Sequence, residues 1–165
     1  MMGLSTSTFT TVHVVFGLLV MLSGSIVVRG MIEAKRREGW TTFFLLMTGA
    51  TSVTGFLFHA ASFGPAQLIG VISLVTLAVA VLARYGYHLA GAWRWTYVAS
   101  AVLALYLNVF VGVVQAFRKV PFLQPLAPTQ SEPPFVITQA IVLVVFVALG
   151  AVATVRFYPK PVRFA

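Results

Sequence analysis

Apolar runs of roughly 20 residues follow one another along almost the whole chain, broken by short basic or proline-containing turns. Such runs leave few folds open. In hydrocarbon every backbone N–H and C=O must bond within the chain, so each run reads as a membrane-spanning helix. The expected spans cover about 10–31, 40–62, 66–84, 95–117 and 135–155, with a proline-rich loop at 118–134. The expected fold class is therefore all-α. It is a polytopic transmembrane bundle of about five spans, forming a single domain over residues 1–165.

Composition narrows the function. Only 8% of residues are charged, against about 25% in soluble domains. Little chain is left for a separate catalytic domain, so any chemistry belongs to the helices or their turns. The net charge of +8 would point to nucleic acid in a soluble protein. Here the basic residues gather at the ends of apolar runs, which is how orientation signals are placed, so no nucleic-acid partner is expected. The chain has no cysteine. That excludes disulfides, thiolate metal sites and covalently attached c-type haem.

No basic residue precedes the first run, whose first cation is Arg29 at the far end, so it does not read as a cleavable signal peptide. A basic turn follows, from Glu33 through Lys35, Arg36 and Arg37 to Gly39. Gly64-Pro65 stops the second run. A segment from Tyr87 to Arg94 turns the chain after the third. With the N-terminus outside and the C-terminus inside, the inner side receives Arg29, Lys35, Arg36, Arg37, Arg84, Arg94, Arg156, Lys160 and Arg163. The outer side receives Arg118 and Lys119. Positive-inside bias favours this orientation, and Trp40, Trp93 and Trp95 fall at the same inner boundary.

Polar residues inside the runs are the candidate site. His13 lies near the outer end of the first span and His59 near the outer end of the second, each on the order of 5 Å below the boundary. The fourth span brings Gln115 to that level and the fifth brings Gln139, while Asn108 lies nearer mid-membrane. His13, Gly17, Met21 and Gly24 share one helical face, as do Thr48, Ser52, Gly55 and His59. Tyr97, Ala101, Ala104, Asn108, Gly112 and Gln115 form a stripe on the fourth span. Small residues mark helix contacts in membranes, so both histidines are expected to face the bundle.

Three readings of this cluster stand side by side. The histidines are interhelical hydrogen-bonding groups, or they meet interfacial water. Alternatively, His13 and His59 are the axial ligands of a b-type haem, which needs two facing imidazoles at one depth. In the third reading Gln115, Gln139 and Asn108 line a pocket for a quinone, a lipid or another small molecule. Proton relay or transport would call for an acid within a span, and the acids are only Glu33, Glu38 and Glu132. His88, among Tyr85, Tyr87 and Trp93, reads as an interfacial residue, with a lipid headgroup contact as the alternative. The Lys35-Arg36-Arg37 run reads as a topology determinant, with lipid binding as the alternative. No catalytic triad, phosphate loop or metal-binding repeat is present.

His13-Val14-Val15-Phe16-Gly17, the basic turn ending in Gly39, and Met47-Thr48 resemble a family of bacterial membrane proteins known only as a domain of unknown function. The resemblance covers about the first third of the chain. In that family's pattern a histidine begins the basic turn, and Lys35 stands there in this chain. The resemblance implies a bacterial inner-membrane helical protein and supplies no reaction. The expected function is non-enzymatic: a multi-pass protein of the inner (plasma) membrane, structural or accessory to a complex, with the lipid bilayer and a membrane-protein partner or second copy around it.

The orientation is directly testable because no native cysteine interferes. Ser131→Cys should react from outside intact cells with a membrane-impermeant thiol reagent, and Ala34→Cys should not. The reverse labelling would invert the topology.

Overall fold

The computed structural model describes residues 6–56 and 64–158. Their regular structure is helical: α1 (Thr6–Ile32), α2 (Glu38–Phe56), α3 (Pro65–Val81), α4 (Trp93–Lys119) and α5 (Pro133–Arg156). A π-helical turn, Leu82–Gly86, extends α3, and a 3-10 turn, Gln124–Leu126, interrupts the proline loop. The all-α expectation holds. Four stretches are long and apolar enough to cross a membrane: Thr8–Ile32, Gln67–Gly86, Trp93–Lys119 and Pro133–Arg156. α2 falls outside that set. Its described part carries Thr41, Thr42, Thr48, Thr51, Ser52 and Thr54, which dilute its apolar character. The end of the expected second span, with His59, lies outside the described residues, as do Lys160 and Arg163.

Sequence chemistry sets the helix ends. Ala34, at φ 55°, closes α1 in the left-handed conformation. The Lys35 N–H donates to the Gly30 carbonyl at 2.8 Å and the Ala34 N–H to the Met31 carbonyl at 3.1 Å, a Schellman-type end. Gly64 precedes α3 and its N–H donates to Gln67 Oε1 at 3.0 Å, while Pro65 takes the first helical position, where a missing N–H does no harm. Pro133 and Pro134 open α5 in the same way, with Glu132 before them.

α1 packs most extensively on α2, α2 on α3, α3 on α4, and α4 back on α1, so these four helices close a ring. α5 lies outside the ring, against α4 and to a lesser extent α1. The buried apolar core is Val20, Val27, Val28 and Met31 of α1, Phe44 and Leu45 of α2, Ala80 of α3 and Ala83 just after it, and Tyr97, Val98, Ala101, Val102, Ala104 and Leu105 of α4. Ala153 and Phe157 close it from the last helix. This core sits in the half of the bundle that carries the basic turns.

Small residues permit the closest approaches, as the stripe pattern anticipated. A Cβ on Gly24 would come within 2.6 Å of Leu105 Cδ1 and 2.8 Å of Phe44 Cε2. A Cβ on Gly112 would meet Met21 Cε at 2.5 Å. Thr48, at 0% exposure, hides its hydroxyl by donating to the Phe44 carbonyl at 2.8 Å. A polar side chain can therefore sit in the helix contact without an unmet hydrogen bond.

Gly24→Ala should destabilise the detergent-solubilised protein by about 1–3 kcal/mol through overpacking against the rigid Phe44 ring. Gly17→Ala has nothing within 4 Å of the new methyl and should be neutral or slightly stabilising. Thermal unfolding of the two variants separates them. Equal effects would contradict this packing.

Candidate functional site

The sequence places its candidate site at the end opposite the basic turns. His13, half-buried on α1, brings Nδ1 to 2.8 Å from Thr54 Oγ1 on α2. The Thr54 hydroxyl donates to the Ala50 carbonyl at 2.7 Å. Its single proton is thereby committed, so His13 donates from Nδ1. The ring rests on the small face of α2: His13 Cε1 is 3.6 Å from where a Gly55 Cβ would stand. The expectation that His13 faces the bundle therefore matches its placement.

The other members of the expected cluster make contacts of their own. Gln139 Nε2 donates to the Phe110 carbonyl at 3.2 Å and ties α5 to α4, while its buried Oε1 has no hydrogen-bond partner. Asn108 Nδ2 donates to Ala104 of its own helix at 2.9 Å. Gln115 is exposed. These bonds lie at the α1–α2 contact, at the α4–α5 contact and within α4, rather than around one point. The proline loop folds back over this end, where Gln130 Nε2 donates to the Val114 carbonyl at 3.1 Å. Phe117 of α4 meets Phe135 of α5 edge-on, with centroids 5.5 Å apart. Glu132 organises the loop, accepting from the Thr129 hydroxyl and N–H and from the Ser131 N–H. Although some desolvation opposes it, these donors hold the Glu132 carboxyl below the usual carboxylate range.

The basic end holds the more elaborate constellation. Arg84, in the π-helical turn after α3, is buried to 7% exposure. Its guanidinium pairs with Glu38 Oε2 at the start of α2. The same group lies 5.4 Å from the ring centroids of both Tyr85 and Tyr97, a cation–π arrangement that helps replace lost hydration. The second Glu38 oxygen faces Arg36 Nη1 at 3.9 Å. Thr42 Oγ1 and the Tyr85 hydroxyl are 3.1 Å apart, a second bond from α2 to the π-helical turn.

Neighbouring ties use the remaining charges. Glu33 gathers Arg29 at 2.9 Å, Arg37 at 3.2 Å and Lys35 at 3.4 Å. The Arg29 hydrogen bond foremost, with Lys35 beside it, holds the Glu33 carboxyl below the usual carboxylate range. Arg94 donates to the Phe157 carbonyl beyond α5 and covers the Tyr158 ring at 3.7 Å, placing a cation at a helix C-terminus. Tyr87 and Trp93 stack at 3.8 Å across the turn that joins α3 to α4.

Among the described residues no group of three His, Cys, Asp or Glu could hold a metal ion. Compared with known proteins, the chain matches no family model, no curated protein and no solved structure.

The signal for the basic-end cluster was present but non-local. Arg84 and Glu38 are separated by 46 positions, and only the antiparallel run of α2 and α3 brings them together. Glu38→Gln should lower stability by about 1.5–3 kcal/mol, the range for a hydrogen bond to a charged group, because Arg84 stays buried beside an uncharged partner. Lys35→Gln, which removes one of three cations around an exposed carboxylate, should change stability little. Paired thermal unfolding curves check the order of the two effects.

Proposed function

We propose that this chain is a multi-pass protein of a bacterial inner membrane, with five spans, the N-terminus outside and the C-terminus inside. Its role in this reading is structural, as an accessory subunit of a membrane complex. The observation that carries it is the use made of the carboxylates. The chain has 3 acids. Glu33 holds the α1–α2 turn, Glu38 holds the buried Arg84, and Glu132 orders the loop before α5. Each is tied to helix-end architecture, which is what a scaffold requires and what a general base or proton relay could not tolerate.

The clustering of Arg29, Lys35, Arg36, Arg37, Arg84 and Arg94 about one end supports the orientation. In this reading α2 crosses the membrane as well, with the Thr42, Thr48 and Thr54 hydroxyls bonded back to carbonyls of their own helix. The turn motif resembling that of bacterial membrane proteins supports the compartment.

His13 fits the same role through its bond to Thr54. The alternative role is axial ligation of a haem by His13 and His59.

An absorption spectrum of protein purified from haem-replete cells distinguishes these roles. The structural reading predicts no Soret band. It also predicts that His13→Ala lowers the unfolding midpoint modestly, in line with one lost interhelical hydrogen bond of about 0.5–1.5 kcal/mol. A Soret band that disappears in His13→Ala would overturn it in favour of haem.

A further inference from the structure

A cavity of about 170 Å³ opens at the basic end, lined by Arg36, Glu38, Arg84, Tyr85, His88 and Leu89. Two guanidinium groups, those of Arg36 and Arg84, contribute to its wall. Arg84 is itself buried. Glu38 engages only part of this donor set, its two oxygens facing the Arg84 Nη2 and Arg36 Nη1 atoms.

Charge points the same way. Two guanidinium groups and one carboxylate leave the lining with a surplus positive charge. His88 adds a ring N–H, so donors outnumber acceptors around the cavity. The segment that presents His88 is held in an uncommon conformation. His88 and Leu89 both adopt left-handed backbone angles, at φ 50° and 61°. The Leu89 N–H is fixed to the Ala83 carbonyl at 3.0 Å, and Leu89 is buried. The imidazole is thereby set on the cavity rim by the π-helical turn rather than by a loose loop.

We propose that this cavity binds a phosphate group, with Arg36, Arg84 and His88 as its donors. A carboxylate offers two oxygens and would leave part of this donor set unmet. A phosphate offers three or more acceptor oxygens and suits the planar fork of arginine. The group belongs either to a phospholipid headgroup, since the cavity sits beside the Tyr87–Trp93 stack at the end of the apolar spans, or to free phosphate or a soluble phosphate ester. The inference rests on the cavity alone and not on which side the basic end faces.

The test uses the full-length protein purified in phosphate-free buffer with dodecyl maltoside micelles. One arm titrates inorganic phosphate. The other adds phosphatidylglycerol to the micelles. Both read the thermal midpoint by tryptophan fluorescence. Arg84 itself is left intact, because its pairing with Glu38 ties α3 to α2. Arg36→Gln and His88→Gln should each weaken the response about tenfold, the scale of one charge-assisted contact. Arg118→Gln, which removes a charge at the opposite end, should leave it unchanged. A response to phosphate assigns the site to a soluble phosphate; a response to phosphatidylglycerol alone assigns it to a headgroup. Two results overturn the proposal: no response in either arm, or a response that Arg36→Gln and His88→Gln leave intact.

Discussion

Charge cannot rest in the apolar middle of this bundle, so every formal charge among its described residues sits near a helix end, and the architecture follows from how those ends are tied. The Arg84–Glu38 pair is the central tie. It joins the end of α3 to the start of α2 and lies against Tyr97 of α4. One buried guanidinium thus touches three of the four ring helices. Arg94 makes the corresponding tie to the last helix through the Phe157 carbonyl. Removing either cation would loosen helix ends that little else joins, because long-range hydrogen bonds between the helices are few in an apolar bundle.

The two halves of the bundle differ as a result. Near the basic end Phe44, Met31, Val98 and Ala101 are almost fully buried, and Gly24 lets α1 close on α2 and α4. Toward the opposite end the contacts are sparser and more polar: His13 to Thr54, Gln139 to Phe110, Gln130 to Val114. The chain thus packs tightly at one end, its base, and makes sparser polar contacts at the other. The phosphate-sized cavity belongs to that base, where π-helical geometry and left-handed residues hold His88 in place.

Much of the fold was legible in the sequence because hydrocarbon imposes a simple rule. Apolar run length gives the helices, and Gly64-Pro65, Ala34-Lys35 and Pro133-Pro134 mark where they turn. Helix contact was legible too, since Gly24 and Gly112 have no other reason to interrupt apolar faces. The candidate site was less so. Placing His13 against the small face of α2 needed only helical spacing, and that placement is observed. Residue counting gives Gln115, Gln139 and His13 one depth but fixes height and not rotation: His13 and Gln139 join different neighbours, and Gln115 is exposed. Arg84 looked like one more flanking cation. Its burial depends on a π-helical turn that rotates it inward, and no local pattern announces such a turn. In α2, Thr42, Thr48 and Thr54 lower the apolar average although each bonds back to its own helix.

The central claim, a five-span bundle in which α2 crosses with the others, is tested most directly by the two chain ends. An epitope tag placed before Met1 and a second placed after Ala165 can be digested from outside intact cells. An odd number of spans with the basic end inside predicts that the first tag is lost and the second is protected. Both tags meeting the same fate would contradict it, because the chain would then cross the membrane an even number of times.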